Sequence, residues 1–132
     1  MLILPAGLAT AIIDHARNGL PDEVCGLVAG RDGVATAVYP GRNISPTPAD
    51  TYELDHDTLA RVFDFEDAGL ELVAIYHSHP HGPDRPSPTD IASAAYPDSV
   101  HLIVSLVAPD EPKLMGFRIN CGNTQRIKTK IE

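Results

Sequence analysis

The stretch from Leu72 to Asp90 constrains the fold most, because it requires a buried strand to end beside the start of a helix. Leu72-Val73-Ala74-Ile75-Tyr76 is an apolar run with β-branched and aromatic members, the pattern of a buried strand. His77 and His79 continue it. Side chains two apart on a strand share a face, so the two imidazoles should project side by side. Pro80 stops the strand and a polar loop follows. Ser87-Pro88-Thr89-Asp90 reads as a helix start, with Ser at the N-cap and Pro at the first helical position. Strand end and helix start would then bring together two His and one Asp. Three such ligands are a common set for a catalytic zinc that keeps one position open. Ser87-x-x-Asp90 also fits an acidic capping box, which by itself requires no chemistry.

The rest of the chain supplies short, sharply bounded elements. Pro5 to Asn18 predicts a helix, with Leu8, Ala11, Ile12, His15 and Ala16 on one face and Asn18-Gly19 as its stop. Glu23 to Ala29 predicts a strand. Arg31-Asp32-Gly33 is a turn, and Val34 to Tyr39 returns as the second arm of a hairpin. Glu23 and Cys25 share a face of the first arm. Cys25 could line the same cavity as Glu23 or pack in the core; with no flanking cation to lower its pKa, core packing is the favoured reading. Pro40 to Leu54 is irregular, with Thr51–Leu54 as a short strand at most; a loop this long in a compact domain is often functional. Asp55 caps a helix whose apolar face is Leu59, Val62, Phe63 and Phe65, ending at Ala68-Gly69. After the histidine strand, a helix from Pro88 to about Tyr96 leads to a strand over Val100–Val107. Leu114–Asn120 and Gln125–Ile131 form a final antiparallel pair. The order predicts an α/β fold, a mixed sheet sandwiched by helices, in a single domain over residues 1–132. His15, His56 and His101 read as structural or solvated, and His81, past Pro80, as outside the ligand set.

Composition narrows the partners. The net charge is −8 with His neutral, and no basic patch stands out, which argues against nucleic acid or an anionic membrane. No stretch has the length of a transmembrane helix, and Met1–Pro5 lacks the basic start of a secretory signal. The cytoplasm is the default expectation. The oligomeric state is left open.

Glu23, His77-Ser78-His79-Pro80, Ser87 and Asp90 together resemble the signature of the JAMM (MPN+) metalloprotease family. That signature has a distant Glu, His-x-His-Pro, seven residues between the second His and a Ser, then two residues and an Asp. Here residues 80–86 fill the first gap and 88–89 the second. The resemblance runs from about Leu4 to Phe117. It implies the MPN/JAB, cytidine-deaminase-like version of the α/β fold. It also implies one catalytic Zn²⁺ held by His77, His79 and Asp90, with Glu23 as general base and Ser87 as oxyanion donor. Ser78 would face the other way and support the site. The short chain is most similar to the stand-alone bacterial branch, associated with ubiquitin-like sulfur carrier proteins bearing a Gly-Gly tail. The implied reaction is hydrolysis of a peptide or isopeptide bond at that tail. The loops at 40–54 and 81–86 are the expected channel walls. Rival readings are a broader deubiquitinase-like isopeptidase, a non-catalytic ubiquitin-like binding module, and a non-haem iron oxygenase using the same two His and one carboxylate.

Overall fold

The computed structural model describes residues 1–132. Its elements are β1 (Leu2–Leu4), α1 (Ala6–Asn18), β2 (Cys25–Arg31), β3 (Val34–Pro40), α2 (His56–Leu59), α3 (Arg61–Asp67), β4 (Glu71–His79), α4 (Pro88–Ser93), β5 (Val100–Ser105), β6 (Lys113–Asn120), β7 (Asn123–Ile127) and β8 (Thr129–Ile131). The eight strands form one mixed sheet in the order β7-β6-β5-β4-β2-β3-β1-β8. β4–β5, β1–β3 and β1–β8 are parallel pairs, and the others are antiparallel.

The Asp32-Gly33 turn holds both residues at positive φ (53° and 77°), the geometry of a two-residue hairpin. β4 lies between β2 and β5 and is buried from Val73 to His79, as expected for a central strand covered on both faces. One face carries Val28, Ala74, Tyr76, Leu102 and Val104 against Ala9, Ile12 and Ala16 of α1. The other carries Leu27, Ala29 and Ile75 against Phe65 of α3. Helices thus cover both faces, as the pattern of elements predicts.

Several local expectations are corrected. Leu2–Leu4 is a strand, paired with β3 and β8, too short to show a period in sequence. The last predicted strand divides at Lys128: β7 pairs with β6, and β8 pairs with β1 at the opposite edge of the sheet. Two consecutive strands, separated by Lys128, therefore form the two edges of the sheet. Thr51–Leu54 is not a strand; only Leu54 bridges, to Asn43. The buried face of α1 uses Ala9 instead of Ala11. Phe65 anchors α3, while Phe63 is 71% exposed. The helix from Pro88 stops at Ser93, ahead of Tyr96 with φ 60°.

Candidate metal centre and active site

β4 delivers His77 and His79 to the sheet face that holds Ile75, and α4 brings Asp90 over them. His77 Nε2 and His79 Nε2 are 3.1 Å apart, and Asp90 Oδ2 lies 3.1 and 3.0 Å from them. These atoms form the one cluster of potential metal ligands in the chain. His81 is exposed and outside it.

The three residues fit a metal ion. His79 Nδ1 donates to Pro83 O at 2.7 Å, so its proton sits there and Nε2 presents a lone pair. That lone pair aims at Asp90 Oδ2, and His77 Nε2 aims at the same atom. A shared positive charge relieves the crowding. The spacing is close to the ~3.3 Å edge of a tetrahedron with bonds of about 2.0 Å. Electrostatics agree. Burial is the strongest influence on Asp90 and would raise its pKa. The His77 and His79 imidazoles against it, the His77 charge and the Ser87 backbone N–H outweigh it and hold the carboxyl well below its usual range. For His79, burial lowers the pKa, but Asp90, Pro83 and Glu23 together raise it. His77 is lowered, chiefly by burial.

Glu23 stands just before β2. It is 7% exposed, and its Oε1 is buried without a hydrogen-bond partner. Burial, helped by the Asp90 and Asp50 charges and opposed by His79, pushes its pKa up to about 7. A base poised near neutral pH is well matched to proton transfer. Ser87 Oγ accepts from Asp90 N at 3.0 Å, while Asp90 Oδ2 accepts from Ser87 N at 2.9 Å, so the capping box is formed. The Ser87 hydroxyl proton stays free to donate. Glu23, His79, Ser87 and Asp50 line a cavity of about 230 Å³. A larger cavity of about 440 Å³, lined by Tyr52, Leu54, Ile75, Asp90 and Tyr96 among others, adjoins the cluster through Asp90.

Ser78 faces the other way and is fully buried. Its Oγ accepts from Val24 N at 2.8 Å, and its own N donates to Val24 O at 3.0 Å, which ties the chain next to Glu23 onto β4. Cys25 is fully buried, its thiol pushed up to about 12 chiefly by burial. His15 bonds Tyr76 OH at 2.7 Å, His101 bonds Ala95 O at 3.1 Å, and His56 is exposed.

Two residues escaped the sequence reading. The Asn43 side-chain amide donates to Glu23 O (2.9 Å), Thr51 O (2.9 Å) and Pro48 O (3.3 Å). Its Oδ1 accepts from Ser45 N and Glu53 N. Glu23 N in turn donates to Pro48 O at 2.8 Å. The 40–54 loop and Glu23 are thus fastened together. Asn43-x-Ser45 is an Asx-turn spacing, the one signal that points to it. Tyr52 stacks on His77 with ring centroids 4.4 Å apart, and nothing in its local sequence marks it.

Residues 5–120 match the family described as prokaryotic homologs of the JAB domain. The chain is 39% identical over 111 residues to a desampylase of Haloferax volcanii, covering 79% of this chain and 80% of the relative. It is 37% identical over 127 residues to the CysO-cysteine peptidase of Mycobacterium tuberculosis, covering 92% and 85%. The solution structure of protein DSY2949 from Desulfitobacterium hafniense superposes with a TM-score of 0.88 at 32% identity, over all of this chain and 93% of the other. The ligand cluster sits on the fold these matches share, and the chain belongs to the prokaryotic homologs of the JAB domain.

Proposed function

We propose that this chain is a zinc metallopeptidase that cleaves the peptide or isopeptide bond after the C-terminal Gly-Gly of a ubiquitin-like sulfur carrier protein. The reading rests on one observation: three ligand atoms converge beside Glu23, a buried carboxylate with an unpaired oxygen. His77, His79 and Asp90 are the proposed ligands. Zinc held there would supply a water acidified towards about pH 7 and polarise the scissile carbonyl.

The chain's own groups carry the proton and the charge. Glu23 Oε1 accepts the proton of the attacking water and returns one to the leaving amine. The Ser87 hydroxyl donates to the oxygen that gains negative charge; loss of one such donor typically costs about 100- to 1000-fold in rate. His79 keeps its ligating nitrogen deprotonated through the Nδ1–H bond to Pro83 O. The Tyr52 ring stacks on His77 and covers that face of its imidazole.

The substrate class draws support from the relatives, one named a CysO-cysteine peptidase and another a desampylase. Glycines suit a narrow approach to buried ligands, since they let the backbone come close. Residues 1–132 act as one domain in this reading. The two free cysteines fit the cytoplasm as its compartment.

Mass spectrometry of the zinc-loaded protein with a sulfur carrier extended after Gly-Gly tests the proposal. The expected result is loss of the extension's mass, abolished by Glu23→Gln. Intact carrier after incubation with zinc-bound protein would overturn the substrate assignment.

A further inference from the structure

Charge is distributed unevenly along this chain. Residues 113–132 hold five of its ten basic side chains and one of its eighteen acidic ones, a local charge of +4. The preceding 112 residues therefore carry −12 against the chain's net −8. In sequence these cations alternate with other residues and form no run. The sheet collects them.

The pairing register shows which face they occupy. His79 of β4 pairs with Ser105 of β5, and Ser105 with Lys113 of β6. Paired residues share a face, so Lys113 lies on the side of the sheet that carries His77 and His79. Met115 and Phe117 follow on that side, paired with Ile103 and His101. Arg126 pairs with Phe117 and contacts Met115 Sδ at 3.7 Å, Lys128 lines the same cavity as Met115 and Arg126, and Lys130, in β8, pairs with Ile3. The opposite face of these strands is inward: Leu114 and Ile127 pack on the α1 core. Lys113, Arg126, Lys128 and Lys130 are exposed, while Met115 and Phe117 are half-buried. Lys130 is partly neutralised by Glu132 at 3.0 Å, and Arg118, on the other face, bonds Asp98 O. Lys113 lies two strand spacings from His79, about 10 Å.

We propose that Lys113, Met115, Phe117, Arg126 and Lys128 form a docking strip for the folded body of the substrate, through an acidic face beside its C-terminal tail. The proposal rests on the peptidase reading above and names the surface that would select its partner. A basic strip with a thioether and an aromatic ring at its centre has the make-up of a protein-binding surface. It shares a sheet face with the ligand cluster, so a body resting there can extend its tail to His79. A nucleic acid is the poorer fit, because the −12 on the rest of the molecule repels a phosphate backbone. A second copy of this chain, which presents ample acidic surface, is the competing occupant.

The test compares two substrates and one variant of the full-length, zinc-loaded protein. The substrates are a folded, acidic sulfur carrier extended after Gly-Gly, and a short peptide with the same tail and extension. In Lys113→Glu/Lys128→Glu, KM for the folded carrier should rise about tenfold, in keeping with the reversal of two complementary charges, while KM for the peptide moves less than twofold. Unchanged KM for the carrier, an equal rise for both substrates, or a change in oligomeric mass on reversal would overturn the docking proposal. Should the variant misfold, the wild-type protein decides: kcat/KM for the carrier should fall steeply with added salt and that for the peptide should not. Carrier binding to Glu23→Gln, followed by calorimetry, separates the two readings. Salt-sensitive binding without cleavage by the wild type removes the peptidase reading alone. Peptide cleavage with salt-insensitive carrier binding removes the docking strip alone.

Discussion

The ligand cluster and the 40–54 loop meet at one site but are held in opposite ways. His77, His79, Ser87 and Asp90 come from fourteen consecutive residues, fixed by a central strand and a capping box. Glu23 lies 54 residues before His77 and holds its place through bonds to Asn43 and Pro48, in a loop with no regular structure. The first region is positioned by secondary structure. The second is held by the Asn43 amide, which satisfies three carbonyls, by the Glu23 N–H bond to Pro48 O, and by the Val24–Ser78 bonds next to it. A local motif therefore suffices to set the proposed ligands, whereas the proposed base draws support from distant chain.

If this contrast holds, damage to the loop should impair catalysis and leave the ligands intact. Asn43→Ala removes the donors to Glu23 O, Thr51 O and Pro48 O. We expect kcat to fall about 10- to 100-fold, the range seen when a group that orients a catalytic residue is removed. Zinc stoichiometry should not change. Steady-state kinetics with metal analysis checks this, and loss of zinc along with kcat would dissolve the distinction between the two regions.

A smaller effect is expected where the loop ends. Asp55 accepts from Arg42 N at 2.8 Å and from Thr58 N at 3.1 Å, so it closes the loop and caps α2 at once. Burial alone would raise its pKa, but these hydrogen bonds and the Arg42 charge outweigh it and lower the value. A depressed carboxyl stabilises the fold above its unfolded pKa of about 4 and loses that contribution as pH falls through the folded value. Asp55→Ala should cost about 1 kcal/mol near neutral pH, the usual loss for an N-cap. The gap to wild type should close in acid. Denaturant melts at pH 7 and pH 3 measure it; a gap that widens in acid would contradict the assignment.

The same contrast explains what could be read from sequence. His77, Ser87 and Asp90 were legible because strand period and helix capping are local rules, and the spacing joined them to a known signature. The hairpin was legible because Asp32-Gly33 admits few turns. Asn43 and Tyr52 were not, since their roles appear only when the loop folds back over β2 and β4. The change of edge at Lys128 was also hidden: a run from Gln125 to Ile131 has one period, whichever strands it pairs with. The basic strip escaped for a related reason. Its cations are spaced apart and lie on different strands, and the reading that no basic patch stands out missed the +4 that residues 113–132 carry.

Zinc content in two variants tests the central division of labour most directly. Glu23→Gln and Asp90→Ala each remove one carboxylate from the site, and both should abolish hydrolysis. The division predicts one zinc per chain in Glu23→Gln, as in the wild type, and none in Asp90→Ala. Equal zinc in both variants would contradict it, because Asp90 would then not be a ligand or Glu23 would be one.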